Sequence, residues 1–215
     1  MKLQLALDDI SLVDALVLGQ KVRNYVDIFE VGSPLIIEEG MDAVREFKRY
    51  FPEKEILADT KIVDAGAYEA GLAFKAGADY CTVIGITDNL TIKECLKAAV
   101  QNNKHVFIDT INIQAIDKRI PELERLGVDH LSVHVGVDQQ AVGKTPLKTL
   151  KEVRKVSKNS SISVAGGINL STVQEYLSVG ADILIVGGGI NHAKDPVATA
   201  KSLADKVHHS EIEVN

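Results

Sequence analysis

Gly77-Ala78-Asp79-Tyr80-Cys81-Thr82-Val83-Ile84-Gly85 carries the end of one helix, a joint and a whole strand. The leading glycine suits the left-handed residue that closes a helix. A small apolar residue and an aspartate then start the next element, and the β-branched run that follows reads as a strand. The joint recurs as Gly127-Val128-Asp129 before HLSVHV and as Gly180-Ala181-Asp182 before ILIVGG. Three such joints, with one order of elements between them, argue for a repeated unit and against an assembly of unlike domains.

Working outward from these joints, eight candidate strands can be read: LQLALD, YVDIFEV, EILADT, YCTVIG, HVFIDT, HLSVHV, SISVAGG and ILIVGG. They are nearly continuous in apolar character, as parallel strands covered on both faces are. Segments of helical period with charges on one side lie between them, at 14–25, 67–75, 91–101 and 121–126. Eight βα units in 215 residues leave only short loops. The chain is therefore expected to close as a compact α/β fold, a (β/α)8 TIM barrel, in one domain over 1–215 with the last few residues disordered. A doubly wound open sheet is the competing fold.

Composition narrows the function. At 46% hydrophobic the chain can bury one substantial core, and a formal charge of -6 with no Trp leaves neither a basic footprint nor stacking platforms for nucleic acid. The opening MKLQLALDDI meets acids at Asp8 and Asp9, too soon for a signal peptide, and no run approaches the roughly 18 apolar residues of a membrane span. Cys81 and Cys95 have neither a CxxC spacing nor a His partner, so buried thiols in a reducing cytoplasm are expected. The polar C-terminal HHSEIEVN is expected to fray, with His208 and His209 solvated and not metal-binding.

In a TIM barrel the site is built at the C-terminal ends of the strands. Asp8, Glu30, Asp59, Lys61, Asp109 and His134 all fall there. Any one carboxylate alone reads as well as a cap between strand and helix. Their joint placement brings four carboxylates, one amine and one imidazole to a single mouth. Hard oxygen ligands suit Mg2+, and Glu30 with Asp59, on neighbouring strands, make the best pair. The competing reading pairs Glu30 with Lys61 as a buried salt bridge; a buried carboxylate must be matched in either case. An imidazole ordinarily exchanges protons near neutrality, so His134 is a candidate proton carrier, although a structural His remains the other reading. After the last two strands come Val164-Ala165-Gly166-Gly167-Ile168 and Val186-Gly187-Gly188-Gly189-Ile190. Such turns expose N–H groups at helix N-termini, so Gly166, Gly167, Gly187 and Gly188 are expected to bind phosphate.

LALD, FEVG, the D-x-K-x-x-D element from Asp59 to Asp64, His134 followed by Asp138, VAGG and VGGG resemble, in this order and over nearly the whole chain, the orotidine 5'-monophosphate decarboxylase suprafamily. The resemblance implies a reversible, Mg2+-dependent aldol reaction joining formaldehyde to D-ribulose 5-phosphate to give D-arabino-hex-3-ulose 6-phosphate, through an enediolate held on the metal. It implies Glu30 and Asp59 as metal ligands, Lys61 as oxyanion stabiliser, and Asp64 orienting Lys61 from the partner subunit of a homodimer with shared sites. His134 would move protons, and Asp8 and Asp109 would bind substrate hydroxyls or the amine. Decarboxylation of 3-keto-L-gulonate 6-phosphate is the runner-up within the suprafamily. Its enzymes usually have Glu at the position of Asp109, Arg at that of Val137 and Arg at that of Gly188. Members catalysing the aldol reaction usually carry Tyr at the position of Val137, so the chain departs from both there. A phosphosugar-binding barrel without catalysis and a ribulose-phosphate epimerase are further readings; the latter does not need D-x-K-x-x-D.

Overall fold

The computed structural model describes residues 1–209. The disorder expected of the last few residues falls on 210–215, outside the described residues. Eight strands are present: β1 (Lys2–Leu7), β2 (Ile28–Val31), β3 (Glu55–Ile62), β4 (Tyr80–Ile84), β5 (His105–Asp109), β6 (His130–His134), β7 (Ser161–Ala165) and β8 (Ile183–Val186). Every neighbouring pair is parallel, and β8 returns to pair with β1, Lys2 opposite Ile183, which closes the barrel and rules out the open sheet. The helices are α1 (Leu12–Val22), α2 (Ser33–Glu39), α3 (Met41–Tyr50), α4 (Gly66–Lys75), α5 (Asn89–Asn102), α6 (Ile116–Arg125), α7 (Val137–Gln140), α8 (Leu147–Val156), α9 (Val173–Val179), α10 (Gly188–Asn191) and α11 (Pro196–His209).

Strand alternation sorts the core into two layers. Leu3, Leu5, Leu7, Val31, Ile56 and Ala58 face outward into the strand–helix layer, where Phe29, Phe47 and Phe51 pack ring to ring at 4.7–5.8 Å. Ala6, Ile28, Leu57, Tyr80, Phe107, Ile183 and Ile185 fill the lumen. Two residues beyond this plug, on the same inward side, come Asp8, Glu30, Asp59, Thr82 and Asp109. The period of a strand thus places the polar set directly above the apolar floor.

The three joint glycines adopt φ of +104° (Gly77), +98° (Gly127) and +82° (Gly180), the left-handed region expected of them. Two of the three joint aspartates, and Asp27 ahead of β2, tie strands together at the barrel's N-terminal end. Asp79 Oδ2 accepts from Ile56 N at 3.0 Å and Asp182 Oδ2 from Ile162 N at 2.8 Å. Asp27 Oδ2, ahead of β2, accepts from Leu3 N at 2.8 Å. Each carboxylate therefore satisfies an amide near the start of the preceding strand.

Two sequence expectations need correcting. The helix expected over 121–126 spans Ile116–Arg125 with Pro121 inside it. Ile120 and Leu123 are fully buried and Ile116 packs on the same core, so burial of one face outweighs the backbone bond that Pro121 cannot donate. His208 and His209 belong to α11, and His208 is not free in solvent: its Nε2 lies 2.9 Å from Asp27 Oδ2.

Candidate active site

The end of β3 is where the local chain conformation departs from a plain strand. Its register to β4 runs Ala58↔Cys81 and then Ile62↔Val83, so an irregularity lies between them that spans Asp59, Thr60 and Lys61. Lys61 sits at φ +47°, a left-handed conformation costing about 1 kcal/mol for a non-glycine residue. Thr82 stitches the irregularity in place. Its hydroxyl donates to Asp59 Oδ1 at 2.7 Å and accepts from Lys61 N at 2.8 Å, while Thr60 Oγ1 donates to the Thr82 carbonyl at 2.9 Å. Ser33, at the start of α2, brings its hydroxyl to 2.8 Å from Asp59 Oδ2. The network fixes Asp59 and holds Lys61 in its left-handed conformation, with both residues lining the mouth.

Lys61 Nζ lies 2.5 Å from Asp59 Oδ2 and 3.4 Å from Asp109 Oδ2. Burial alone would favour the neutral amine, but Asp59 and Asp109 outweigh it and hold the ammonium protonated well beyond its ordinary range. The competing Glu30–Lys61 salt bridge is not formed among the described residues, because Lys61 is turned to these two carboxylates. Glu30 is 8% exposed and accepts from Gln4 Nε2 at 2.5 Å, and no cation pairs with it among the described residues. Burial first, then the charges of Asp59 and Asp8, push its carboxyl well above the usual range. Asp8 is raised by burial and by Asp59 in the same way. A Cβ at Gly32 would overlap Asp8 Oδ1, so a glycine after β2 leaves room for that side chain. The mouth thus gathers more negative charge than its one ammonium neutralises. Gln4 Oε1 is also buried there, with no hydrogen-bond partner among the described residues.

His134 Nδ1 lies 3.1 Å from Asp109 Oδ2, and Asp109 Oδ1 accepts from Ile111 N at 2.9 Å. Burial raises the Asp109 carboxyl, but the His134 hydrogen bond and the charges of His134 and Lys61 prevail and lower it. Hydrogen-bonded to an ionised Asp109, His134 Nδ1 is the donor, which leaves Nε2 as the nitrogen that can give or take a proton.

These groups line a cavity of about 710 Å³ that also reaches Gly166, Gly167, Gly187 and Gly188. The glycines differ in local setting. Gly188 opens the short α10, so its N–H has no intrahelical acceptor. Gly166 and Gly167 do not stand at a helix N-terminus as expected; α9 begins only at Val173, and these residues form a turn at φ +122° and +70°. The physical reason is the Asn169–Thr172 turn, in which Thr172 Oγ1 accepts from Asn169 N at 3.1 Å and delays the helix.

One predicted residue is not brought in. Asp64 is exposed, does not line the cavity, and accepts from Ala65 N at 2.7 Å. Asp64 does not cap the helix that follows, since the cap position of α4 is Ala65, left-handed at φ 50° and without a side-chain cap bond. Val137 is exposed at the cavity rim. Gln4, Ser33, Thr82, Gln140 and His192 line the cavity without having been singled out. Gln4 shares the inward face of β1 with Asp8, and Thr82 stands two residues beyond the lumen residue Tyr80 on β4, a period-2 signal that was available. His192, whose Nε2 pairs with Asp9 Oδ2 at 2.9 Å, is brought in by a loop and left no such mark.

A closed parallel barrel with this Asp-Lys-Asp-His mouth defines the class, and the orotidine 5'-phosphate decarboxylase / HUMPS family matches residues 1–203. The chain belongs to that family. A 3-hexulose-6-phosphate synthase from Staphylococcus aureus (strain bovine RF122 / ET3-1) is 44% identical over 201 residues, covering 94% of this chain and 96% of the relative. The solved 3-hexulose-6-phosphate synthase from Salmonella typhimurium superposes with TM-score 0.96 at 46% identity, over 98% of this chain and 100% of that one. A solved KGPDC from Streptococcus mutans gives TM-score 0.89 at 28% identity, over 97% of each chain. These likenesses indicate a lyase-type enzyme. No helix among the described residues is long and apolar enough to cross a membrane.

Proposed function

We propose that the chain catalyses the reversible, Mg2+-dependent aldol condensation of formaldehyde with D-ribulose 5-phosphate to D-arabino-hex-3-ulose 6-phosphate. The observation that carries this reading is Lys61 held between Asp59 and Asp109, with a buried Glu30 that no cation pairs among the described residues. The donor set fits a hard divalent ion: Glu30 and Asp59 would hold Mg2+, which when bound supplies positive charge to the adjacent oxygens of the substrate. His134 Nε2 takes a proton from C1 of ribulose 5-phosphate. The electron pair left behind is shared with the C2 carbonyl, and the Lys61 ammonium stabilises the negative oxygen that forms. C1 then bonds to the formaldehyde carbon, and the former aldehyde oxygen takes back the proton from His134. Asp109 keeps the imidazole in the tautomer this exchange needs. Asp8 binds a sugar hydroxyl, and the turns at Gly166–Gly167 and Gly187–Gly188 receive the phosphate.

Assembly is part of the proposal. Val63, beside Asp64 in the chain, Tyr68 and Leu72 on α4 and Leu90 on α5 are 62%, 71%, 40% and 72% exposed. These exposed apolar side chains support a homodimer in which Asp64 serves the partner's site. The function is tested by incubating the protein and Mg2+ with ribulose 5-phosphate and formaldehyde, beside a parallel incubation with 3-keto-L-gulonate 6-phosphate. Hexulose phosphate formation that EDTA abolishes and Mg2+ restores is expected. Carbon dioxide release from the keto acid without hexulose phosphate formation would reassign the chain to the decarboxylase.

A further inference from the structure

We propose that His105, Asp129 and His130 form a second metal site, for a zinc-class divalent ion, that clips β5 to β6 at the barrel's N-terminal end. The first observation is a break in the joint pattern. Asp27, Asp79 and Asp182 each satisfy an amide near the start of the preceding odd-numbered strand, at Leu3, Ile56 and Ile162. Asp129, the fourth such residue, is turned to two imidazoles instead. Its Oδ1 lies 2.8 Å from His130 Nδ1 and its Oδ2 3.3 Å from His105 Nδ1.

The second observation is where this happens. The β4–β5 ladder is paired from Tyr80↔His105 and the β6–β7 ladder from His130↔Ser161, at the very starts of those strands. Between β5 and β6 the pairing runs only through Ile108↔Leu131 and Asp109↔Ser132. The three side chains therefore sit where this seam of the barrel is open.

The geometry suits a metal. The three donor atoms lie within 4.8 Å of one another, and ligands about 2.1 Å from a tetrahedral Zn2+ stand roughly 3.4 Å apart. The His130 ring is braced, stacked on Phe107 at 4.8 Å and 14°, with the His105 ring 5.2 Å away. His105 and Asp129 side chains are each 52% exposed, which leaves an entry path and room for water in the remaining coordination positions. Two imidazole nitrogens and one carboxylate select Zn2+, Co2+, Ni2+ or Cu2+ over Mg2+. The chain thus offers an oxygen-only site at one end of the barrel and a nitrogen-rich one at the other.

The test uses the full, untagged chain stripped of metal and titrated with ZnCl2 or CoCl2 in excess Mg2+. Wild type should take up one tight equivalent, and its Tm should rise by roughly 5–10 °C at a hundredfold excess over Kd. Co2+ should give visible ligand-field absorption and paramagnetically shifted imidazole N–H signals from two histidines. The His105→Asn/His130→Asn and Asp129→Asn variants should lose the shift and weaken Zn2+ binding at least about tenfold, with the Mg2+-dependent reaction unchanged. The Glu30→Gln and His208→Asn/His209→Asn variants should bind Zn2+ as wild type does. The proposal is overturned by an absence of tight binding to wild type. It is equally overturned if the double His variant retains the Tm rise, or if Glu30→Gln or His208→Asn/His209→Asn abolishes it. The imidazole signals decide the matter in wild type even where a variant fails to fold.

Discussion

The residues of the mouth divide by what burial does to their charge. Glu30 is buried with only a Gln4 hydrogen bond and two neighbouring carboxylates, so it is the group with most to gain from a bound cation. Glu30→Gln is expected to abolish Mg2+ binding in calorimetry while leaving the circular dichroism unchanged. Mg2+ affinity equal to wild type would sink the metal assignment. His134 is set by Asp109 to present one basic nitrogen, and His134→Asn should lower kcat by roughly 10²–10⁴ with a much smaller change in KM. The phosphate turns need a more selective experiment than replacing any glycine. A Cβ on Gly166 would lie 2.8 Å from the Val135 carbonyl at φ +122°, so its replacement strains the fold itself. Gly188 carries no such strain, and a Cβ there would meet only His192, at 3.4 Å and beyond. Gly188→Val should therefore raise KM for the sugar phosphate roughly tenfold or more, the worth of one hydrogen bond to a charged group, with Tm nearly unchanged. An unchanged KM removes the assignment.

At the scale of elements, two devices hold neighbouring strands to one another, one at each end of the barrel. Thr82 fixes the irregular end of β3 through two bonds to Asp59 and Lys61, and it is 4% exposed. Thr82→Val leaves the Lys61 amide unpaired, which should cost about 1–3 kcal/mol in denaturant unfolding and lower kcat together with stability. At the opposite end Asp79 accepts from Ile56 N, Lys48 Nζ at 2.9 Å and Lys104 Nζ at 2.5 Å, joining β3, β4, α3 and the start of β5. Partial burial raises its carboxyl, but the two lysines and the amide prevail and hold it below its ordinary 3.8. The folded state thus binds this proton more weakly than the unfolded chain. The resulting stability is present above pH 3.8 and is lost as pH falls through the depressed folded value. Asp79→Asn should be less stable than wild type by about 1–2 kcal/mol at neutral pH, discounted for its partial exposure. The gap should narrow in unfolding curves taken below pH 3.8; a gap independent of pH would argue against an electrostatic role.

On the scale of the whole molecule, the question is whether one chain makes a complete site. Asp64 stands outside its own cavity, and the residue before it and the helix after it in the chain carry the exposed apolar Val63, Tyr68 and Leu72. If the partner supplies it, mixing inactive Lys61→Ala with inactive Asp64→Ala protein should restore activity. At full exchange half the dimers are mixed, and each holds one site with both defects and one with neither, so about a quarter of all sites are intact by binomial mixing of symmetric subunits. Confirmed subunit exchange with no recovered activity would assign Asp64 to its own chain.

The eight strands, the parallel order and the left-handed joints were legible in the sequence. They rest on local signals: β-branched runs, helical period, and glycine where only a left-handed turn fits. Asp8, Glu30, Asp59, Lys61, Asp109 and His134 were legible too, because a barrel puts strand ends at one mouth whatever the details. Tertiary structure alone decided the partners. Lys61 chose Asp59 and Asp109 over Glu30 because of a local irregularity stitched by Thr82 on the next strand. Pro121 stayed inside a helix because a buried face overrode its local preference. Asp129 left the joint pattern because two imidazoles from neighbouring strands met it across an open seam. Each of these depends on contacts between residues far apart in the chain, and no periodicity or spacing within one segment encodes which of several distant partners will be nearest.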